Sequence, residues 1–504
     1  MTAGVEADVV VVGSGVAGML AARGVLQAGR SVAMLERGAL VPWERQLETS
    51  QWEADVPGAQ HNIDNDPEGE DWPWTYVYGV GGSSLRWAGV SPRLIPEDFE
   101  MRSRFGVMRD WPFGYDELAP FYAEAEKILG VAGPRRSSVY PSPPFPLPPH
   151  EPSPQDRRVG PLLEPFVALP QARPTEAVGS RPPCCGSARC QLCPVNSRFS
   201  VLNGLGETLE HERLELLSET VAARLISDPA GRRVTAVEAR RSDGEALTVR
   251  GRRFVVAANG IESAGLLLRS ELDTGDTGRN LFDHPNAALE IETSTAVGAG
   301  HGRSLATGAS YRYYSGSFRR DRAAALLVVS NPGAIFDMLP QTVKALVAGR
   351  SGRRVRREVV DTWRRTVKLE VYMDDVPNPA NRVALSGSKD RFGLPRNRVT
   401  YRRATPYLQR GLDHVIEDAP RRLAPLGVRG SRFAYAVQGA HMIGTLRMGD
   451  DPDAVVDEDC RHRARQNLYV AGSAVFPTFS PANPTSTIAA LAVRLGRTVA
   501  QEGD

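Results

Sequence analysis

The chain has 504 residues, and at roughly 150 residues per domain that length suits about three folding units. Hydrophobic residues make up 41% and charged residues 24%, which excludes a disordered, collagen-like or disulfide-scaffold protein. The net charge of +2 provides no global attraction to nucleic acid or anionic lipid, and only four of the 61 basic residues are lysine.

In chain order, Met1 to Gly4 lead into acidic Glu6 and Asp8 with no basic stretch before the first apolar segment, so the expected location is cytoplasmic, leaving export on a partner's signal open. No run of 18 apolar residues occurs anywhere, and no transmembrane segment is expected. Residues 8–13, Asp-Val-Val-Val-Val-Gly, read as a buried parallel strand, 16–28 as a helix of small residues and 31–36 as a second strand. This is a complete βαβ unit. Gly13-Ser14-Gly15-Val16-Ala17-Gly18 sits at its first turn. Gly13 makes the tight turn, Gly15 lets backbone approach a pyrophosphate, and Gly18 permits close helix–strand packing. The helix N-terminus offers free N–H groups to phosphate oxygens. Glu36 ends the second strand, where an acid accepts hydrogen bonds from ribose hydroxyls and repels a 2′-phosphate. The unit predicts dinucleotide binding.

Further on, Gly79 to Gly89 form a second glycine-rich segment, and residues 134–154 carry nine prolines, which predicts an extended connector. Strand-like alternation occupies 221–257 and about 367–400. Residues 344–368 hold nine Lys or Arg against Glu358 and Asp361. That run reads as a solvated surface helix or loop, or else as a docking face for an electron-transfer partner. Residues 254–270 run from a buried strand through Gly260 into a helix. The pattern recurs over 467–495, through Gly472-Ser473 and Asn483-Pro484-Thr485. Several glycine-rich strand ends spread from residue 13 to 485 suit a long, extended cofactor better than a compact half-site.

Together these motifs resemble the glucose–methanol–choline family of FAD-dependent oxidoreductases. The matching stretches are 8–38, 79–122, 254–286 and 434–500, with His441 to Gly449, Asn467 to Val470, Phe476-Pro477-Thr478 and Asn483-Pro484-Thr485 the most specific. The resemblance implies an α/β fold with a Rossmann-like, discontinuous FAD-binding domain and a substrate domain with a mainly antiparallel sheet. The expected division is 1–95, 200–290 and 431–504 for FAD, 291–430 for substrate, and 96–199 wrapping between them. It implies oxidation of an alcohol of a sugar, glycoside, polyol or similar small molecule, by a dehydrogenase rather than an oxidase, as in glucose and glucoside dehydrogenases and pyranose oxidase-like enzymes. An oxidase using O₂, a non-redox member such as a hydroxynitrile lyase, and a flavin binder without catalysis are the alternatives. The last has no need of a base at the flavin.

Of eight histidines, His441 lies in the motif the family uses at the flavin's reactive face, and the resemblance makes it the general base. A neutral imidazole is the side-chain base best matched to neutral pH. Asn483 fills the second catalytic position, where an amide orients the substrate hydroxyl and stabilises developing alkoxide. His284, in Asp283-His284-Pro285, reads as structural. The cofactor wall is assigned to Gly13, Ser14, Gly15, Ala17, Gly18, Glu36, Arg37, Gly81, Gly82, Ser83, Ser84, Trp87, Ala88, Gly89, Val221, Ala258, Gly472, Ser473, Asn483, Pro484 and Thr485. Some members tether flavin through a histidine in the segment matching 82–88; here Arg86 stands there, and non-covalent FAD is expected.

Four of five cysteines, Cys184, Cys185, Cys190 and Cys193, fall within ten residues. The segment resembles the iron–sulfur segment of catalytic subunits of bacterial FAD-dependent glucose and glucoside dehydrogenases, except that two rather than three residues separate the last two cysteines. An iron–sulfur cluster relaying electrons to a partner or small subunit, a disulfide, free thiols and zinc all remain open for this loop.

Overall fold

The computed structural model describes residues 4–49, 62–187, 190–302, 306–331, 342, 343, 345–436 and 439–501. His61, Lys344, Ala188 and Arg189 lie outside them. The opening unit forms as its pattern dictates. Strand Gly4–Val12 runs parallel to Val32–Leu35, joined by helix Val16–Gln27. Val9 to Val12 are buried because both faces of the strand are covered, which is why the run is continuous rather than alternating. The first helix packs on the last, Thr485–Gln501, where a Cβ on Gly24 would meet the Gly496 backbone at 2.9 Å. Glycine at the crossing lets the two backbones touch.

The sheet around this unit has seven strands. Leu214–Leu217, Val32–Leu35, Gly4–Val12 and Ala246–Val256 lie side by side in parallel. The long strand Ala246–Val256 divides its remaining edge. Its first half pairs antiparallel with Val234–Arg241, which pairs in turn with Thr220–Ser227, and Phe254 to Val256 pair in parallel with Leu468–Val470. Chain from the start, middle and end thus meets in one sheet.

A second, six-stranded sheet is antiparallel throughout, in the order Val428–Ala436, Asn286–Thr293, Thr366–Met373, Ala325–Ser330, Gly308–Tyr313 and Phe166–Ala168. One face, including Leu289, Ile291, Leu327, Val367, Leu369 and Val371, packs on helix Pro406–Arg422 through Leu408, Leu412 and Val415. The strict alternation turns Asn286, Lys368, Glu370 and Tyr372 to the other face. Residue 290 lies inside strand Asn286–Thr293 and residue 430 inside Val428–Ala436.

Residues 134–153 contain no helix or strand; Pro154 takes the first position of helix Pro154–Val159, where its missing N–H costs nothing. The connector is held by Arg93, whose guanidinium pairs with Glu126 at 2.5 Å and donates to the Pro143 carbonyl at 2.9 Å. At the second sheet, fully buried Arg319 bridges Asp98, in the turn Pro96–Phe99, and Asp374, just past strand Thr366–Met373, each at 2.9 Å. In the basic run, helix Gly352–Arg364 turns Val355 and Val359 inward and leaves Arg353, Arg354, Arg356 and Arg357 exposed.

Candidate active site

The C-terminal ends of the parallel strands and the polar face of the antiparallel sheet enclose a cavity of about 610 Å³. One stretch of its wall is the first turn, Gly13 and Gly15, with the N-terminus of the first helix, which no side chain caps. Gly13 has φ +102°, and a Cβ there would meet Ala257 O at 2.5 Å. A Cβ on Gly18 would strike Gly13 O at 1.9 Å, whereas one on Gly15 would find nothing within 4 Å. Gly13 and Gly18 therefore close the turn, and Gly15 keeps space open above the helix. Gly82, across the cavity, comes near enough that its Cβ would lie 3.1 Å from Gly15 Cα.

Of the sequence-assigned residues, Gly13, Gly15, Ala17, Glu36, Arg37, Gly82, Ser83, Ser84, Trp87, Ala88, Val221, Ala258, Gly472, Ser473, Asn483, Pro484 and Thr485 line this cavity, as does His441. Ser14, Gly18, Gly81 and Gly89 stand behind the wall. Ser14 accepts from the Gly81 N–H at 3.1 Å and donates to Glu36 at 2.7 Å, tying the two glycine segments together. The Glu36 carboxylate also accepts from the Ser14 and Gly38 N–H groups at 3.1 and 2.9 Å. Burial nevertheless raises its pKa. Both Ser14 donors fall on Oε2, whereas Oε1 takes only the Gly38 N–H and retains room for a further donor, so the position still suits a ribose hydroxyl. Arg37 is fixed by Asp390 at 2.8 Å and lies 4.6 Å from the Tyr78 ring centroid.

These features fit FAD: an uncapped helix N-terminus beside an empty Cβ position, a buried acid at the second strand end, and the buried, unpartnered Oδ1 of Asn483. Arg86 is buried, donating to Gln46 at 2.6 Å and to the Leu85 carbonyl.

His441 is half-buried at the wall. Its backbone N–H donates to Asp283 Oδ1 at 2.8 Å, and Asp283 Oδ2 takes the Trp72 indole N–H at 2.9 Å. Burial pushes the Asp283 carboxyl up to about 8. Burial, with the nearby His284 ring second, holds the His441 imidazole well below its ordinary pKa, leaving it neutral and able to accept a proton. The two rings stand edge to face, 4.8 Å apart.

His284, read as structural from the sequence, also lines the same cavity. Its Nε2–H donates to Ser480 O at 2.6 Å, and Nδ1 is buried without a partner. Asn286, Tyr372 and Gln191 also line the cavity and were missed. Asn286 follows the Asp-His-Pro motif by one residue and was within reach of motif reading; Tyr372 is placed only by long-range strand pairing.

The cysteine loop reaches this cavity through Gln191. Among the described residues no disulfide joins Cys184, Cys185, Cys190, Cys193 or Cys460 to one another. Among the described residues no three His, Cys, Asp or Glu side chains converge as a metal site. The loop contacts are of another kind: Arg173 donates to Cys190 Sγ at 2.8 Å, the Ser197 N–H donates to Cys193 Sγ at 3.3 Å, and Cys185 is exposed. No helix among the described residues is long and apolar enough to cross a membrane.

Residues 8–312 match the FAD binding domain family and residues 377–492 the GMC oxidoreductase family. The chain is 29% identical to the fructose dehydrogenase large subunit of Gluconobacter japonicus, covering 97% of both chains. It is 31% identical to paromamine 6′-oxidase of Streptomyces fradiae, covering 98% of this chain and 91% of that one. It is 28% identical to 2-methyl-1,2-propanediol dehydrogenase of Mycolicibacterium austroafricanum, over 97% and 94%. In fold it is similar to pyridoxine 4-oxidase from Mesorbium loti, with TM-score 0.66 at 18% identity over 99% and 100% of the two chains. A glycine-lined cofactor cavity, an antiparallel sheet closing over it, the two family matches and likeness over nearly the whole chain to proteins named as a dehydrogenase and an oxidase lead to one conclusion: the chain belongs to the GMC oxidoreductase family of FAD-dependent enzymes.

Proposed function

We propose that this FAD-dependent oxidoreductase oxidises a carbinol of a sugar, glycoside or polyol, with His441 as general base and Asn483 as the group that orients the reacting hydroxyl. Bound FAD supplies the hydride acceptor. The observation that carries the reading is the meeting of a neutral imidazole and the Asn483 side-chain amide in one cavity with the glycine turn. His441 takes the hydroxyl proton as the C–H bond breaks. Asn483 fixes the hydroxyl so that only one carbon faces the oxidant, and its amide dipole opposes the alkoxide charge as it builds. Gly13, Gly15, Glu36 and the first helix hold the cofactor and leave the base free.

The cofactor set assigned above, held without a covalent bond beside Arg86, and the division into cofactor residues 1–95, 200–290 and 431–504 and substrate residues 291–430 belong to the same reading. The second half-reaction is read as that of a dehydrogenase with an electron-accepting partner, a reading supported by likeness to a protein named as the large subunit of a dehydrogenase.

The test is His441→Ala under anaerobic conditions. Flavin content stays near wild type, and reduction of the flavin by substrate slows by about 10²–10⁴-fold, the usual contribution of a positioned base. Reduction at the wild-type rate would remove the proposal. Acid precipitation checks the cofactor link: all yellow colour is expected in the supernatant, and colour kept in the pellet would mean a covalent tether.

A further inference from the structure

The basic run 344–368 takes no part in the alcohol chemistry, and its structure is distinctive. Residues 342, 343 and 345–347 are helical, and Gly349, at φ +71°, ends that helix. The Gly349 and Arg350 N–H groups return to the Leu346 and Ala345 carbonyls at 2.9 and 3.0 Å. Helix Gly352–Arg364 follows, and Ala345 packs with Val355 and Val359, so the two helices form a hairpin. The hairpin is tied to the second sheet at one end only. The Val297 N–H donates to Arg364 O and the Thr293 hydroxyl to Arg365 O, both at 2.8 Å. Arg353 lies eleven residues before that anchor, about 17 Å along the helix.

The tip combines two kinds of exposure. Among the described residues five large apolar side chains are exposed, and three fall here: Val343 at 50%, Leu346 at 54% and Val347 at 83%. Across the turn, Arg353, Arg354, Arg356 and Arg357 are exposed, and none is paired with a carboxylate among the described residues. The nearest acid, Glu358, is taken by Arg350. Helix Gly352–Arg364 begins at this tip with no side-chain cap and no acid in its first turn, so its free N–H groups add to the positive field. The rest of the chain is slightly acidic, since the net charge of +2 includes an excess of seven basic residues within 344–368. An anionic surface therefore attracts this tip and repels the remainder, which fixes one orientation.

We infer that the hairpin tip docks the enzyme on an anionic lipid bilayer, with Leu346 and Val347 entering the headgroup boundary and Arg353, Arg354, Arg356 and Arg357 taking lipid phosphates. A basic helix beside exposed aliphatic side chains is the pattern of a segment that lies on a membrane without crossing it. Guanidinium groups match phosphate oxygens two at a time. A folded protein partner fits the tip less well. A specific protein interface needs about 800 Å² from each side, anchored by aromatic residues, whereas this tip is a short turn carrying Leu and Val. A soft bilayer closes around such a tip. The contact is by surface charge and shallow insertion, so it is reversible and weakened by salt.

The experiment is co-sedimentation of the FAD-loaded full-length enzyme with vesicles of phosphatidylcholine alone or with about one third phosphatidylglycerol. At about 0.1 M salt the enzyme should bind the phosphatidylglycerol vesicles and not the neutral ones, and about 0.5 M salt should release it. Arg353→Gln with Arg354→Gln is expected to lower the partition coefficient about tenfold or more. Leu346→Ser with Val347→Ser should lower it about threefold or more at the same charge. Both double variants keep wild-type melting and bound flavin, because the altered side chains are exposed and far from the cofactor, which separates lost docking from lost folding. Arg135→Gln with Arg136→Gln, an exposed pair in the connector, makes the same change in net charge and should leave binding within about twofold. Equal loss from the connector pair and the tip pair would mean non-specific charge attraction and overturn the inference. So would vesicle binding that survives both tip variants. No binding to anionic vesicles at low salt would also overturn it, and would turn the tip into a candidate face for an acidic protein instead.

Discussion

The two halves of the molecule are held together by different physics. Around the first turn, geometry is enforced by missing atoms: Gly13, Gly18, Gly24 and Gly496 sit where a Cβ would run into backbone between 1.9 and 2.9 Å away. Around the antiparallel sheet, geometry is enforced by buried charge, with Arg319 clamped between Asp98 and Asp374 and a hydrogen-bonded tyrosine on the cavity face. A backbone-made site accepts one kind of ligand, a long phosphate-bearing cofactor. A side-chain-made wall can be changed residue by residue without disturbing the cofactor, so specificity belongs there.

Arg319→Leu strikes the second half hardest. It leaves two buried carboxylates facing each other, and about 3–5 kcal/mol of stability should be lost in denaturant unfolding. A loss under about 1 kcal/mol would mean that the clamp does not hold this half. Gly18→Ala is the corresponding blow to the first half. Its methyl cannot fit against Gly13 O, so the turn must open, at about 3 kcal/mol, with loss of bound flavin. Gly15→Ala sharpens the contrast, because its methyl meets nothing in the protein. Melting of the apoprotein should be unchanged while FAD affinity drops about tenfold or more, since backbone approach to the pyrophosphate is blocked. Equal affinity in titration would show that the cofactor does not lie over Gly15. The smallest effect concerns the thiols. Exposed Cys185 should react first with a thiol reagent in the native protein, and Cys460, whose pKa burial pushes up to about 12, only after unfolding. Thiols that stay silent until iron is released would instead reveal a cluster in the loop.

The same division explains what could be read from the sequence. The strand–glycine–helix–acid order is local, so Gly13, Gly15, Gly18 and Glu36 announce both the fold and the cofactor. His441 and Asn483 were reached by the company their motifs keep, not by periodicity. Asn286 and Tyr372 lie 86 positions apart and meet only through the pairing of Asn286–Thr293 with Thr366–Met373, which no local pattern specifies. The place of His284 on the cavity wall is hidden for a related reason: a histidine beside Pro285 looks structural until a second histidine ring arrives from residue 441. The cysteine loop suggests a metal site by resemblance, with its last two cysteines spaced differently from that pattern; in the structure Arg173 donates to Cys190 and the Ser197 backbone to Cys193.

The central claim is that a neutral His441 accepts the substrate proton. The most direct test is the pH dependence of anaerobic flavin reduction at low substrate concentration, in wild type and Asn483→Ala. Because burial lowers the His441 pKa well below 6.5, the imidazole is already the competent base at pH 6.5. The account predicts a rate that is flat from about pH 6.5 to 9 and falls only on further acidification, with Asn483→Ala lowering the plateau without moving the acid limb. A wild-type rate that climbs through pH 7–8, or one that keeps its acid limb after His441→Ala, would contradict it.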